Sequence, residues 1–443
     1  MDDETHNRGM ITFFTLWFGQ LISLIGSGLS EFALGVWIYQ RTDSATQFAL
    51  LGLFIFLPQV VVTMLAGVMA DRHSRRSIMI WSNLVGALAT GLLALLVIAG
   101  VLQVWLVYVV VLLFSISNAM LYPAYNASVP TLVSKKHLGR ANGLLQLATS
   151  ISRTLAPLAA GFLLGVIHLQ GIVLADCGTF LVAVVTLFLI TIPQPAPTTV
   201  AGQPRPSIFR DAGQGLSYIL ARPGLLGLLA FFAVLNISAG FYIGLYTPLV
   251  LSFTSSAALG TVAGIGGVGL VVGSLVMSAW GGPKQRMDGV LGFGLTSGLA
   301  LMLMGARASI VVVAIGSFTF FFFNPLVNAC NMAIWMSKVP AEVRGRVMAS
   351  IRLIAWSTVP LAILASGPLA DNVFEPLMMP GGGLAGSVGQ LIGVGHGRGI
   401  GLLLVIVGVL PVLAVLAAYL SVPVRRVEEQ IPDAAPAAAG AGR

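Results

Sequence analysis

Long runs of apolar residues follow one another along the chain, separated by short polar stretches. Crossing a bilayer as a helix takes about 20 mostly apolar residues, whereas a membrane β-strand would alternate apolar and polar positions over about ten residues. The runs in this chain are continuous and of helical length, which indicates an all-α membrane protein. We predict twelve membrane-spanning helices, at 10–38, 47–70, 78–100, 104–129, 141–167, 171–192, 224–250, 259–280, 288–306, 309–336, 347–368 and 400–420.

The composition supports this prediction and excludes a soluble enzyme. The 443 residues are 57% hydrophobic and 9% charged, with a mean hydropathy of +0.95, whereas soluble proteins contain about 25% charged residues. Such a chain cannot cover a globule with polar surface, so its surface must face lipid. The first apolar run is too long for a signal peptide, and Asp2, Asp3 and Glu4 stand where a basic segment would precede one. We interpret it as a retained first span.

Lysines and arginines collect in alternate loops, and this asymmetry predicts the orientation in the membrane. With the N-terminus in the cytoplasm, the outer side carries only Arg41, Arg307 and Arg398. The cytoplasmic side then carries Arg72, Arg75, Arg76, Lys135, Lys136, Arg140, Arg205, Arg210, Arg222, Lys284, Arg286, Lys338, Arg344, Arg346, Arg425 and Arg426. We therefore predict a multi-pass protein of the cytoplasmic (inner) membrane with both termini inside. The net charge of +8 serves this topology and does not indicate nucleic-acid binding.

A polar, proline-rich stretch, PQPAPTTVAGQPRPSIFRDAGQG at 193–215, divides the spans six and six. It predicts a bundle at 1–192, a cytoplasmic linker at 193–222 with a short interfacial helix near 207–220, a bundle at 223–424 and a disordered tail at 425–443. The halves also repeat: YPAYNA at 122–127 matches FNPLVNA at 323–329, and Gly139-Arg140 matches Gly345-Arg346. A parallel repeat with a binding site between its halves is typical of transporters.

The loop after the second span, GVMADRHSRR at 67–76, is unusually polar for this chain. It resembles the signature loop of the major facilitator superfamily, G-x-x-x-D-[RK]-x-G-[RK]-[RK], although a serine stands where a glycine is usual. Matching residues are Gly67, Asp71, Arg72, Arg75 and Arg76. The resemblance covers the whole chain, and the stretch from the first span to this loop is most similar to the macrolide and siderophore exporters.

The resemblance implies a conformational latch in this loop. Asp71 at a helix end favours a cation or the N-terminus of another helix as partner. In the family that partner lies at the cytoplasmic end of the eleventh helix, and the pair holds the cytoplasmic side shut. The alternative for Arg75 and Arg76 is that they only set topology. The equivalent loop at 280–289, WGGPKQRMDG, lacks the acid at the matching place, so we expect a latch on one side only.

Ionisable residues inside spans are costly and therefore candidates for function. Glu31 in the first span and Arg153 in the fifth are expected to lie on neighbouring helices and to pair, and Glu31 is our leading candidate for carrying a proton. The alternative is a static pair that only joins two helices. Asp176 is a further proton-coupling candidate, with an interfacial cap or a helix–helix contact as the alternative. The arginine that proton-coupled drug exporters often carry in the fourth span is absent.

Other residues suggest helix packing and a binding chamber. SRTLAPLAAG at 152–161 resembles the exporters' packing motif in the fifth helix and keeps Pro157 and Gly161. Amides and phenols in an apolar chamber suit an amphipathic ligand, although each of them is equally suited to an interhelical hydrogen bond. The substrate-cavity candidates are Asn118, Tyr122, Asn126, Asn236, Tyr242, Tyr246, Asn324 and Asn328.

Several chemistries find no support in the sequence. GIGGVG at 264–269 fits a nucleotide-binding pattern but lies inside a span, so we interpret its glycines as helix packing. There is no phosphate-binding loop for ATP, and Cys177 and Cys330 match no metal-ligand spacing. We expect no cofactor, no metal and no enzymatic activity. The glycine-rich connection at 367–399 is long for an outer loop, and we expect it to be mobile, either covering the outer mouth or as a tolerated insertion.

Together these features predict a secondary transporter that exports an amphipathic small molecule, such as a drug, a macrolide-like compound or a siderophore- or peptide-like metabolite, in exchange for protons. We expect it to function as a monomer in the lipid bilayer. The alternatives are an importer or uniporter of the same fold, or a non-transporting membrane scaffold. The paired repeats and the charges inside the spans favour transport, because a scaffold needs neither.

Overall fold

The computed structural model describes the backbone of residues 2–72, 74–192 and 208–434, and the side chains of 9–62, 74–134, 136–192 and 213–434. Within these ranges the regular elements are all helices, and twelve of the segments are long and apolar enough to cross a membrane. The prediction of an all-helical membrane protein with twelve spans is confirmed. Contacts divide the chain into two compact units, 1–201 with 254–264, and 202–253 with 265–443. The first break falls inside the predicted linker.

The helices of the first half follow the predicted spans and extend beyond most of their ends. They are α1 (Asp2–Thr42), α2 (Ala45–Arg72), α3 (Arg75–Ile98), α4 (Val104–Leu132), α5 (Leu138–Val166) and α6 (His168–Leu189). In the first unit α6 packs on α1 and α3, α4 packs on α2 and α3, and α5 packs on α1. Large apolar side chains such as Leu88 and Leu189 point outward, as expected where the solvent is hydrocarbon.

The second half begins with the linker helix and contains several short elements. The long helices are α7 (Ile208–Leu220), α8 (Pro223–Leu251), α9 (Ser256–Trp280), α10 (Arg286–Ala306), α11 (Ile310–Lys338), α12 (Ala341–Ile351), α13 (Thr358–Leu369) and α16 (Arg398–Leu420). The short helices are α14 (Glu375–Met378), α15 (Val388–Ile392), α17 (Val422–Arg425) and α18 (Val427–Gln430). Two π-helical turns, Arg352–Trp356 and Ala370–Phe374, flank α13. The eleventh span is therefore built from consecutive helical segments.

In the second unit α10 lies between α11 and α16, and α8 packs on α13 and α16. Trp335, which is fully buried, belongs to the apolar cluster of this unit. The linker helix α7 packs on α12, and a Cβ at Gly215 would collide with the backbone of Arg346. The predicted helix in the linker is thus present and docked against its own half.

The chain after the last span is ordered as far as residue 434, although we predicted a disordered tail at 425–443. Glu428 accepts a hydrogen bond of 2.7 Å from the N–H of Met287 in the first turn of α10. Lys338, at the end of α11 and 6% exposed, lies 2.8 Å from the carboxylate of Asp433. The first contact gives a partner to a backbone N–H in the first turn of α10, which has none within its own helix, and the second pairs a nearly buried ammonium group with a carboxylate. Residues 435–443 lie outside the described part.

The glycine-rich connection before α16 is also more structured than we predicted. The carboxylate of Glu375 accepts hydrogen bonds from the N–H groups of Gly397 at 3.2 Å and Ile400 at 3.1 Å. It thereby caps the N-terminus of α16, where a negative charge is favourable. Gly395 and Gly397 adopt left-handed φ values of 114° and 77°, which glycine tolerates without strain. These glycines form defined turns in the connection.

Candidate functional site

A cavity of about 30 Å³ lies inside the first unit, between α1, α2, α3, α4 and α6. Most of its wall is apolar, and its polar groups come from α1, α3 and α6. The lining residues are Ser27, Ser30, Glu31, Leu34, Leu51, Ile55, Thr90, Leu93, Val110, Val111, Phe114 and Asp176. Two of the three proton-coupling candidates, Glu31 and Asp176, therefore border the same space.

Glu31 is placed by the close packing of α1 on α5. Leu24, Gly28 and Glu31 share a face of α1 because they are four and three residues apart. The Ser152 hydroxyl of α5 donates a hydrogen bond of 2.7 Å to the carbonyl of Leu24. A Cβ at Gly28 would lie 2.7 Å from that of Ala156 on α5. Without a side chain at Gly28, the two helices come close enough for groups of α5 to act on Glu31.

Arg153, which follows Ser152 on α5, is the cation that acts electrostatically on Glu31. Both residues are exposed in the described structure. No direct ion pair joins them, since the ion pairs among the described side chains do not include either residue. Glu31 and Arg153 therefore lie on neighbouring helices, as predicted, but they do not form the predicted ion pair. A separated pair leaves the Glu31 carboxylate accessible to a proton or a ligand.

Asp176 is fully buried and lies in the middle part of α6 (His168–Leu189), away from both helix ends. Its Oδ1 accepts a hydrogen bond of 3.3 Å from the Thr179 hydroxyl, and its Oδ2 has no hydrogen-bond partner. A Cβ at Gly26 of α1 would lie 2.8 Å from Oδ1, so α1 passes close by. The interfacial-cap interpretation of Asp176 is wrong, because a capping carboxylate would lie at a helix end in contact with water.

The loop arginines have partners within the first unit. Arg75 donates a hydrogen bond of 2.6 Å to the carbonyl of Ala127 on α4. Arg76 donates to the carbonyls of Leu187 at 2.9 Å and Phe188 at 3.1 Å, in the last turn of α6. The carbonyls of Leu187 and Phe188 lie so close to the end of α6 that they have no partner within that helix. Both arginines thus connect α3 to neighbouring helices, which is more than setting topology.

Three of the five predicted latch residues, Gly67, Asp71 and Arg72, have side chains that lie outside the described residues. Their backbone continues α2 to its end at Arg72. The latch therefore stays a prediction. Ser74, which stands at the glycine position of the signature loop, accepts a hydrogen bond of 3.0 Å from the N–H of Ser77. It is the N-cap of α3, a role that serine fills better than glycine.

Pro157 and Gly161 lie where α5 meets the start of α9, residues 254–264 being part of the first unit. A Cβ at Gly161 would lie 2.7 Å from the carbonyl oxygen of Ser256 and 3.0 Å from the Cα of Gly260. A Cβ at Gly260 would lie 2.5 Å from the carbonyl oxygen of Pro157. The small residues allow the two backbones to touch, as in other membrane helix pairs.

The substrate-cavity candidates fall into one group in each unit. On α4, Asn118 and Asn126 are half-buried and Tyr122 is 53% exposed. On α8, Asn236 is half-buried, with an amide nitrogen that has no hydrogen-bond partner. On α11, Asn328 donates to the carbonyl oxygen of Asn324 at 2.9 Å and to its side-chain oxygen at 3.2 Å. The side-chain amide of Asn328 is therefore already hydrogen-bonded within α11.

Tyr242 and Tyr246 on α8 belong to an aromatic cluster that the sequence did not predict. The Tyr242 ring lies 4.9 Å from the rings of Tyr246 and Phe320 and 5.6 Å from that of Phe321. The buried hydroxyls of Tyr246 and Ser317 lie close to each other beside these rings. Aromatic rings with hydroxyl groups beside them offer both apolar and polar contacts.

The sequence analysis also missed the hydroxyl residues around Asp176, which are Ser27 and Ser30 on α1 and Thr90 on α3. A signal for the first two was present. In SLIGSGLSE, Ser23, Ser27 and Ser30 recur at helical spacing inside an apolar span, and this pattern places all three on one face of the helix. Thr90 gave no comparable signal.

Comparisons with known proteins agree with this architecture. The family model of the Major Facilitator Superfamily matches residues 16–365. Macrolide efflux protein A of Streptococcus pyogenes is 27% identical over 388 residues, which are 84% of this chain and 92% of that protein. Enterobactin exporter EntS of Salmonella typhimurium is 28% identical over 269 residues, 59% of this chain and 62% of the exporter.

The fold is also similar to solved structures. One is the crystal structure of a bacterial homolog of the human lysosomal transporter Spinster, in an inward-facing and unoccupied conformation. It matches with a TM-score of 0.68 at 14% identity, covering 96% of this chain and 98% of that one.

Proposed function

The chain belongs to the Major Facilitator Superfamily, a family of membrane transporters and not of enzymes, and from this premise we propose that it exports an amphipathic small molecule in exchange for protons. Its relatives include macrolide, enterobactin and multidrug efflux proteins. We propose that this chain also transports its substrate out of the cell. The carboxylates inside the first bundle favour coupled transport over uniport, and the export direction rests on the relatives alone.

The observation that supports proton exchange is the cavity shared by Glu31 and Asp176. A carboxylate in an apolar surrounding is costly unless it is paired or neutralised. Arg153 lies near Glu31 without forming a direct ion pair, so Glu31 can exchange this electrostatic neighbour for a proton. In our proposal Glu31 takes up a proton during one half of the transport cycle and releases it during the other.

The chemistry of the substrate-cavity candidates suggests the kind of substrate. The Tyr242 and Tyr246 rings with Phe320 provide an aromatic surface, while Asn236 has an amide nitrogen without a partner. A ligand with both apolar and hydrogen-bonding parts matches this combination. Macrolides and siderophores are such molecules, and the names of the relatives make them the first compounds to test.

The orientation and the latch complete the proposal. Lysines and arginines concentrate in alternate loops, which supports a cytoplasmic position for both termini and the linker in a bacterial-type cell. Asp71 then lies on the cytoplasmic side, where it stabilises the outward-open state. One chain contains both six-helix halves, and we propose that it functions as a monomer.

The test uses bacterial cells that lack their own exporters and express the full chain, with a radiolabelled macrolide and enterobactin as probes. The wild type should lower the cellular content of at least one probe, and a protonophore should abolish this effect. The Glu31→Gln variant should lose concentrative export while keeping exchange of probe for probe in proteoliposomes.

Other outcomes would contradict specific parts of the proposal. If the wild type raises the cellular content of a probe, the direction is import. If it changes the content of neither probe nor of a wider set of amphipathic compounds, the export function is wrong. If Glu31→Gln exports against a gradient as well as the wild type does, Glu31 is a structural residue and not the proton carrier.

A further inference from the structure

Two arginine–tyrosine pairs lie in the second unit, one where α8 begins and one where α16 ends. The Cζ atom of Arg222, the N-cap of α8, lies 3.6 Å from the ring centroid of Tyr218 in α7. The Cζ atom of Arg425 in α17 lies 5.1 Å from the ring centroid of Tyr419, in the last turn of α16. An aromatic face attracts a cation placed over it. Both guanidinium groups are therefore oriented by a neighbouring ring.

The two pairs belong to one surface, because α8 packs on both α16 and α17. A Cβ at Gly224, two residues after Arg222, would lie 2.6 Å from the carbonyl oxygen of Pro423. Pro423 in turn precedes Arg425 by two residues. Each arginine is thus two residues away from the same backbone contact. We call this place, residues 222–224 and 423–425, the α8–α17 junction.

Most hydrogen-bond donors of these two arginines are available to a ligand. A guanidinium has five N–H donors. Arg222 donates to the carbonyl of Tyr218 at 3.1 Å, and Arg425 donates to the carbonyl of Tyr419 at 3.4 Å. The ion pairs among the described side chains include neither arginine. A guanidinium with several free donors matches the oxygens of a phosphate group, which it can bind in a bidentate manner.

The acids that follow the junction along the chain have other partners. The carboxylate of Glu428 accepts a hydrogen bond of 2.7 Å from the N–H of Met287. The carboxylate of Glu429 lies 3.8 Å from the guanidinium of Arg426. The positive charge of Arg222 and Arg425 is therefore not neutralised by these two acids.

Apolar side chains surround the charged groups on the outside of the unit. Leu420, the last residue of α16, is 81% exposed, and Leu220, Tyr419 and Val422 are exposed as well. Because α8 and α16 are membrane spans, such side chains at their ends contact lipid. Tyrosine and positively charged residues are typical of the level at which the hydrocarbon meets the headgroups. The junction therefore combines phosphate-binding groups with an apolar surface beside them.

We propose that the α8–α17 junction binds an anionic phospholipid, with its phosphate between Arg222 and Arg425 and its acyl chains along Leu420 and Val422. Basic sites at the ends of membrane helices bind anionic headgroups in this way. A zwitterionic lipid fits less well, because its own ammonium group adds a positive charge beside two arginines. The binding requires neither a transport substrate nor a proton gradient, so it does not depend on the proposed export function.

The experiment uses the purified full chain in detergent, without substrate. Phosphatidylglycerol is titrated in, and native mass spectrometry counts the lipids that each chain retains. Phosphatidylcholine with the same acyl chains is the comparison. We expect one phosphatidylglycerol to bind at least tenfold more tightly than phosphatidylcholine. In a second arm, phosphatidylglycerol should raise the unfolding temperature, whereas inorganic phosphate at matched ionic strength should not.

The variants connect the binding to the junction. Arg222→Gln and Arg425→Gln should each weaken phosphatidylglycerol binding about fivefold, the contribution of one basic residue near an anionic surface. The double variant should bind the two lipids equally. Arg140→Gln, which removes an exposed guanidinium from α5 in the first unit, is matched in charge and should bind like the wild type. Arg425→Lys should keep part of the affinity, because lysine keeps the charge but not the bidentate geometry.

Three results would overturn the proposal. One is a wild type that binds the two lipids equally. Another is a loss in Arg140→Gln as large as the loss in the junction variants, because the attraction would then come from the overall charge. The third is an inorganic phosphate effect equal to that of the lipid, which would indicate a site for free anions. If the double variant does not fold, unchanged affinity in both single variants has the same meaning.

Discussion

Arg76 at the start of α3 donates a hydrogen bond of 2.9 Å to the carbonyl of Leu187, a residue 111 positions further along the chain. A second bond, to Phe188 at 3.1 Å, makes the contact bidentate. The guanidinium thereby caps the C-terminus of α6, where a positive charge is favourable. One residue of the family's signature loop thus helps to position the helix that carries Asp176.

The Arg76→Ala variant should lower the free energy of unfolding by about 1.5–3 kcal/mol, since hydrogen bonds from a charged donor are lost. Arg76→Lys should recover part of the loss, because lysine keeps the charge but not the bidentate geometry. Thermal unfolding in detergent measures both. Arg140→Ala, which removes an exposed guanidinium from α5, is the matched control. Equal effects of Arg76→Ala and Arg140→Ala would show that the cap has no energetic role.

Gly161→Ala should destabilise the protein by about 1–3 kcal/mol, the usual cost of inserting atoms into a packed contact. The added methyl would lie 2.7 Å from the carbonyl oxygen of Ser256, so α5 and the start of α9 must separate. Gly165→Ala, one turn further along α5, has no atom within 4 Å of the added Cβ. It should be neutral in the same unfolding assay. A neutral Gly161→Ala would mean that this contact is easily relaxed.

Asp71→Asn should reduce transport about fivefold or more while membrane abundance stays near that of the wild type. An exposed ion pair contributes about 0–1 kcal/mol to stability, so the expected effect is on the balance between conformations, where 1–3 kcal/mol corresponds to about 5–150-fold. The rate of probe efflux, normalised to protein in the membrane, is the measurement. Glu342→Gln, which removes an exposed acid from α12, controls for the general loss of a surface carboxylate. Normal efflux from a well-expressed Asp71→Asn variant would exclude the latch.

The orientation predicts which loops a membrane-impermeant maleimide can reach. In a chain whose Cys177 and Cys330 are replaced by serine, Ser387→Cys should be labelled in intact cells, since residue 387 is exposed in the connection before α16. Gly202→Cys, in the predicted cytoplasmic linker, should be labelled only after the cells are opened. The reverse pattern would invert the topology and, with it, the side on which Asp71 acts.

The sequence by itself determined the number, approximate position and apolar character of the spans. A helix needs a fixed length of apolar residues to cross a bilayer, and this requirement is local. The twelve predicted spans therefore agree with the helices, and the linker helix α7 lies where its residues suggested. The signature loop likewise depends on adjacent residues, and the family it indicated is confirmed by the match over 16–365.

Only the tertiary structure decided which polar residues meet. A span such as α6 is apolar on nearly all sides, so its sequence does not tell which face lies inside the bundle and which contacts lipid. Asp176 could not be distinguished from an interfacial cap until α1 and α3 were packed around it. The same holds for Glu428 and Met287, which are 141 positions apart, because a contact between distant segments depends on how the helices pack and not on any local pattern.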